Sequence, residues 1–119
     1  MHIENLREIC LSLPGVSEDV KWGADLCFLI GGKMFCVTNL EGTPTVSFKV
    51  QDEEFEALTV SESIIPAPYM ARNKWVQVQD WDRLTNQEWD HYVKQSYSLV
   101  KTKLTKKLQN EIDAIGTGS

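Results

Sequence analysis

Two cysteines, Cys27 and Cys36, flank a Gly31-Gly32 pair. On either side lie two β-rich runs, Asp25 to Ile30 and Lys33 to Thr38. Glycine accepts positive φ at both central positions of a two-residue primed turn, so the segment predicts a tight hairpin. With an unbroken ladder, paired residue numbers sum to 63, which sets Cys27 opposite Cys36 at a non-hydrogen-bonded pair. Cα atoms there approach to about 4.5 Å, close enough for a disulfide. Thiol redox chemistry is one function class this spacing allows. Two reduced, buried thiols are the favoured reading, because an odd count of three cysteines with no secretion signal indicates a reducing compartment. Two cysteines without a flanking histidine are too few for a structural zinc site.

A second constellation is basic and aromatic. Arg72-Asn73-Lys74-Trp75 joins two cations to an indole, which suits phosphate pairing and base stacking. Lys101, Lys103, Lys106 and Lys107 extend it, giving eight basic against four acidic residues between Arg72 and Lys107. The ordinary alternative is a solvated loop and the charged face of a helix end. The whole chain opposes nucleic acid: it carries 17 acidic and 12 basic residues, a net charge of −5 and a pI near 5.0. A third constellation, Trp22, Tyr69, Trp75 and Tyr97, has cations nearby in Lys21, Arg72 and Lys74. Such a set makes a cleft for a small anionic or planar ligand, or covers the open end of a small core.

Enzyme signatures are missing. There is no glycine-rich phosphate loop, no metalloprotease helix motif and no nucleophile elbow. Glu88 and His91 have the spacing of one di-iron ligand pair, but that chemistry needs a second pair and two further carboxylates. An exposed helix face is the better reading. No catalytic residue, metal or cofactor is assigned.

The elements that position these residues follow from periodicity. Ile3, Leu6, Ile9, Cys10 and Leu13 mark an opening amphipathic helix, stopped by Pro14-Gly15. Residues 17–25 read as a loop. Within the hairpin, Leu26, Phe28, Ile30, Phe35 and Val37 share the core face. Cys27, Leu29, Met34 and Cys36 share the other, where Cys27, Leu29 and Met34 form a candidate partner surface. Residues 45–50 alternate as a third strand, and Asp52 caps a short helix over 53–59. Residues 64–69, with two prolines, form an edge strand or an extended arm, and residues 74–79 a further strand. Thr85 and Glu88 make a capping box that opens a long helix over about 86–103. Its buried stripe is Trp89, Val93, Ser96 and Val100. Thr105 restarts a helix to Ala114.

The fold class is α+β in the order α-β3-α-β2-α: a curved antiparallel sheet with helices packed on one side. Residues 1–115 form one domain and 116–119 a flexible tail. The expected core is Leu6, Ile9, Leu13, Phe28, Phe35, Val37, Phe48, Phe55, Trp89, Val93 and Val100. With 42% hydrophobic residues and no signal peptide or membrane-length apolar run, the expected location is the cytoplasm, as a monomer or weak homodimer away from membranes.

Several stretches together resemble the MmcQ/YjbR family of small bacterial proteins. They are Leu13 to Val16 followed by Glu18-Asp19, then Lys21 to Gly23, Gly32 to Phe35, Pro66 to Tyr69, Lys74 to Val76, and Ser96 to Val100. The resemblance runs from residue 1 to about 108. It implies the α-β3-α-β2-α fold and a double-wing architecture similar to a DNA-binding module. It supplies no catalytic residues. The functional expectation is therefore a non-enzymatic binding module with nucleic acid the leading partner. A small-ligand or protein-interaction module using the aromatic cleft is the alternative.

Overall fold

In the computed structural model, which describes residues 2–68 and 70–117, the chain begins with α1 (Ile3–Leu11). Its helical spacing buries Leu6 and Cys10 completely, with Ile3 and Ile9 packed at the margin. The chain then turns at Gly15, whose φ of 75° only glycine adopts without strain. A six-stranded antiparallel sheet follows, in spatial order β1-β2-β3-β4-β6-β5. The strands are β1 (Val16–Lys21), β2 (Asp25–Ile30), β3 (Lys33–Asn39), β4 (Val46–Lys49), β5 (Ile64–Pro66) and β6 (Trp75–Val78). Helices α2 (Asp52–Leu58), α3 (Asn86–Lys101) and α4 (Lys106–Thr117) complete the α+β fold. No helix among the described residues is long and apolar enough to cross a membrane.

β1 corrects the expected loop over 17–25. It pairs with β2 along its whole length, from Val16 opposite Ile30 to Lys21 opposite Asp25. Its four central residues are exposed. Backbone pairing makes this strand, not burial of an apolar face, so its sequence carries no alternation to read. Arg7 of α1 pins it through two hydrogen bonds to Glu18, Nη2 to Oε1 at 2.7 Å and Nε to Oε2 at 3.0 Å. The guanidinium holds the Glu18 carboxyl below the usual carboxylate range. The pair therefore contributes above the ordinary glutamate pKa and is lost as pH falls through the lowered one.

The Gly31-Gly32 turn forms as expected, with φ of 58° and 81°. Ile30 faces Lys33 and Leu29 faces Met34, both summing to 63. The register then shifts. Phe28 faces Cys36 and Cys27 faces Val37. Phe35 is the extra residue of a β-bulge, which sets two residues of one strand against one of the other. Phe35 and Cys36 both enter the core, and every later side chain of β3 changes face. Val37, expected in the core, lies on the opposite face. Cys27 and Cys36, expected to oppose each other, lie on opposite faces of the sheet and are free thiols.

Ser96 holds this bulge. Its hydroxyl donates to the Phe35 carbonyl at 2.6 Å and accepts the Lys49 amide at 2.9 Å. Phe35 has no partner in the ladder, and Lys49 lies beyond the end of the β3–β4 pairing. One fully buried hydroxyl thus satisfies two backbone groups that the sheet leaves over. Ser96 reaches them because α3 lies across β3 and β4. The Thr85–Glu88 capping box starts that helix, Thr85 N donating to Glu88 Oε1 at 2.9 Å and Glu88 N to Thr85 Oγ1 at 3.1 Å. Trp89, Val93, Ser96 and Val100 then point inward as expected, joined by Tyr97.

The helix-side face of the sheet carries the core: Leu26, Phe28, Ile30, Phe35, Cys36, Val46, Phe48, Val76 and Val78 under Leu6, Cys10, Trp89, Val93 and Val100. Ile9, Leu13 and Phe55 pack at its margin, half-buried. The short helix begins one residue earlier than expected: Asp52 is its first residue, and Gln51 N donates to Glu54 Oε1 at 3.0 Å. β5 is an edge strand, ending at Pro66 rather than running through the expected 64–69. α4 continues to Thr117; Gly118 and Ser119 of the expected tail lie outside the described residues.

Replacing Ser96 by alanine leaves a buried carbonyl and a buried amide unpaired. Urea unfolding of Ser96→Ala should show a loss of about 1–3 kcal/mol; unchanged stability would mean that the bulge does not depend on this hydroxyl. The thiols should be inert in the native state. Hydrogen bonding to Cys36 and then burial push the Cys10 thiol far up, and burial foremost pushes Cys27 up. All three are at most 0% exposed. A neutral aromatic disulfide reagent should titrate three thiols only after unfolding, and rapid native reaction of Cys27 would contradict its burial.

Candidate functional site

The expected aromatic cleft does not assemble. Tyr97 is in the core, edge-on to Phe35 with centroids 5.5 Å apart. Its hydroxyl donates to the Pro14 carbonyl at 2.6 Å, tying α3 to the α1–β1 connection. Burial pushes its phenol pKa up. Trp22 sits beyond the other face, at the β1–β2 turn, 71% exposed in the left-handed region with φ 51°. The sheet separates the two. Trp75 belongs by alternation to the same face as Gln77, but only 6% of it is exposed. Tyr69 lies outside the described residues.

The second face of the sheet nevertheless forms a cleft, of about 630 Å³. Met34, Val37 and Asn39 of β3 lie beside Thr45 and Ser47 on the β4 side and Gln77 of β6. Trp22 and Asp25 close one end; Pro68 and Met70 of the β5–β6 connection close the other. Val37 and Asn39 belong to this floor because the bulge turned them here. Ser47 is the shared neighbour of Val37 and Gln77 in the register, so the hydroxyl and the amide lie side by side. Asn39 has a structural task. Its amide donates to the Glu41 and Thr43 carbonyls at 2.7 and 2.8 Å, and its Oδ1 accepts the Thr45 amide at 2.6 Å. The polar groups left to orient a guest are Ser47, Gln77 and the Asp25 carboxylate.

Of the expected aromatics, Trp22 alone is among the cleft's described lining residues. The others that line it were legible only in part. Alternation places Ser47 and Gln77 on the second face, whereas Val37 required knowledge of the bulge. Cys27 and Leu29, expected as a partner surface, are buried within the chain, and Met34 lines the cleft instead.

The basic residues fall into separate settings. Arg72 is exposed in a short 3-10 turn (Ala71–Asn73). Lys74 adopts φ 63°, and its ammonium lies 5.0 Å from the centre of the Phe55 ring, a cation–π contact. Lys101 is paired with Asp113. Lys103, Lys106 and Lys107 are exposed. Trp75, meant to stack a base, is too buried to do so. Lys49, which strand alternation gave no reason to single out, links two of these regions. Its ammonium donates to the Asn73 carbonyl at 2.5 Å, and burial followed by the charge of Lys103 lowers its pKa. Lys49 and Lys103 share a groove with Asp52 and Glu53, whose carboxylates break the positive track.

Comparison with known proteins places this architecture. A Deinococcus radiodurans protein with a domain of the family DUF419, solved by crystallography, superposes with a TM-score of 0.83 at 26% identity, over 92% of this chain and 86% of that one. The crystal structure of a Pseudomonas syringae protein gives 0.69 at 17% identity, over 83% and 98%, and shares the fold. Among curated proteins none matches. The family model YjbR matches residues 11–99, from the end of α1 through most of α3, and the chain belongs to the YjbR family.

Proposed function

We propose that this chain is a binding module for a small, planar, largely apolar ligand, held on the open face of its sheet. The supporting observation is the cleft of about 630 Å³, within the range of roughly 300–1,000 Å³ typical of small-molecule sites. Met34, Met70, Val37, Pro68 and the Trp22 ring offer polarizable and aromatic surface to a flat guest. Ser47 and Gln77 supply adjacent hydrogen-bonding groups that fix its orientation. The Asp25 carboxylate favours a cationic or hydrogen-bond-donating edge over an anionic one. The expectation of a planar ligand stands in this reading, and the anionic option recedes.

Neutral and cationic bicyclic heteroaromatics, such as quinoline and aminoquinoline, are suitable probes. Met34 and Met70 both line the cleft, so methyl-labelled methionine reports occupancy directly. Both methyl resonances should shift on titration. Gln77→Leu should weaken binding about tenfold, the equivalent of one hydrogen bond. Probes that shift neither methyl, or a Gln77→Leu protein that binds as the native one does, would argue against this cleft.

Nucleic acid remains a second reading, favoured by Lys49 lying between Lys103 and the loop that carries Arg72 and Lys74. Titration of labelled single- and double-stranded DNA at low salt tests it. Binding that falls steeply with salt and is lost in Lys103→Glu would put this reading first. Absence of binding by the folded protein would remove it. Trp75→Ala should lower stability without a separate effect on binding, since that indole is buried.

A further inference from the structure

The two edges of the sheet differ. β5 has three residues and ends in Pro66, with Pro68 two positions on, so it offers little backbone to a further strand. β1 has six residues, no proline and no bulge. Its outer row of amides and carbonyls is a ready template for another strand. Glu18 is occupied by Arg7, but Asp19 and Lys21 form no ion pair among the described residues. Both lie on the cleft side of the sheet, and Val20, on the helix side, is 51% exposed.

We propose that β1 pairs antiparallel with β1 of a second copy of this chain, around a two-fold axis at Val20. The register follows from charge. A two-fold perpendicular to a continuous sheet pairs residues of like face, so the axis must pass through one residue. An axis at Glu18 sets Glu18 against Glu18; one at Asp19 sets Asp19 against Asp19; one at Lys21 sets Lys21 against Lys21. Each brings like charges together at the closest point. An axis at Ser17 leaves Asp19 and Lys21 beyond the partner strand's first residue. An axis at Val20 sets valine against valine and gives two symmetric Asp19–Lys21 pairs. The interface is isologous and closes as a dimer with a continuous twelve-stranded sheet, twice the six strands of one copy. Like charges oppose the registers centred on Glu18, Asp19 and Lys21, and those centred on Val16 or Ser17 gain no ion pair, so charge favours the Val20 register alone.

Sedimentation velocity on the full chain over a concentration series tests this. The native protein should dimerise reversibly, and more weakly as salt rises. Asp19→Lys and Lys21→Asp should each raise the dissociation constant about tenfold or more, since each turns two attractive pairs into repulsive ones. Neither side chain forms an ion pair among the described residues, so Asp19→Lys should melt as the native protein does. Lys21→Asp sets a carboxylate opposite Asp25 and should melt lower, so its association is compared at a temperature where both proteins are folded. Mixed together, the two variants should dimerise again, because each then meets the opposite charge. A native protein that stays monomeric throughout, or a dimer indifferent to either reversal, would overturn the proposal. So would a mixture no more associated than its components.

Discussion

The Ser96 hydroxyl, set between the Phe35 carbonyl and the Lys49 amide, is the contact on which the arrangement of this sheet depends. A bulge in the middle of a sheet leaves backbone groups without ladder partners, and burial makes that costly. α3 brings in one side chain that serves both groups. With the bulge secured, Phe35 and Cys36 both enter the core, and Val37 and Asn39 pass to the other face. The first pair completes the packing beneath Tyr97, Phe48 and Trp89; the second builds the floor of the cleft. A single irregularity therefore supplies the core and the candidate site at once.

The two faces divide the work. Helices α1 and α3 close one face, α3 with aromatic contacts, Trp89 and Tyr92 against Phe48 and Tyr97 against Phe35. The other face is left open at its centre, with connections rising at its two ends: the Trp22 turn and the Pro68–Met70 segment. A rigid sheet with a half-covered face is a good platform for recognition, because the floor is fixed by backbone pairing while the walls come from connections free to vary. Net acidity, the Lys101–Asp113 pair and the carboxylates of Asp52 and Glu53 all dilute the positive character of the C-terminal half. The balance of the geometry thus lies with the cleft.

Much of this was legible in the residues themselves, and the misses share a cause. The Thr85–Glu88 box and the Trp89–Val100 stripe announce α3, because capping and helical spacing are local signals. Gly31-Gly32 announces the turn for the same reason. The bulge has no local mark. Phe35-Cys36-Val37 reads as an unbroken strand, and only the fit of two side chains beneath α1 and α3 selects the extra residue. β1 was missed because it buries no face, and pairing alone defines it. Trp22 and Tyr97 were grouped by type and charge, a criterion blind to which side of a sheet each occupies. Val37 reached the site, and Cys36 left the opposite face, by the same unmarked step.

The register shift at Phe35 decides which side chains face the core and which the cleft, and cross-strand nuclear Overhauser contacts in the uniformly labelled protein measure it most directly. The Val37 methyls should show contacts to the Cys27 β-protons and to Ser47. The Cys36 β-protons should contact Cys10, which lies beside it in the core. Contacts between the β-protons of Cys27 and Cys36, with Val37 among the core residues, would instead establish an unbroken ladder and contradict the assignment of faces on which the candidate site is built.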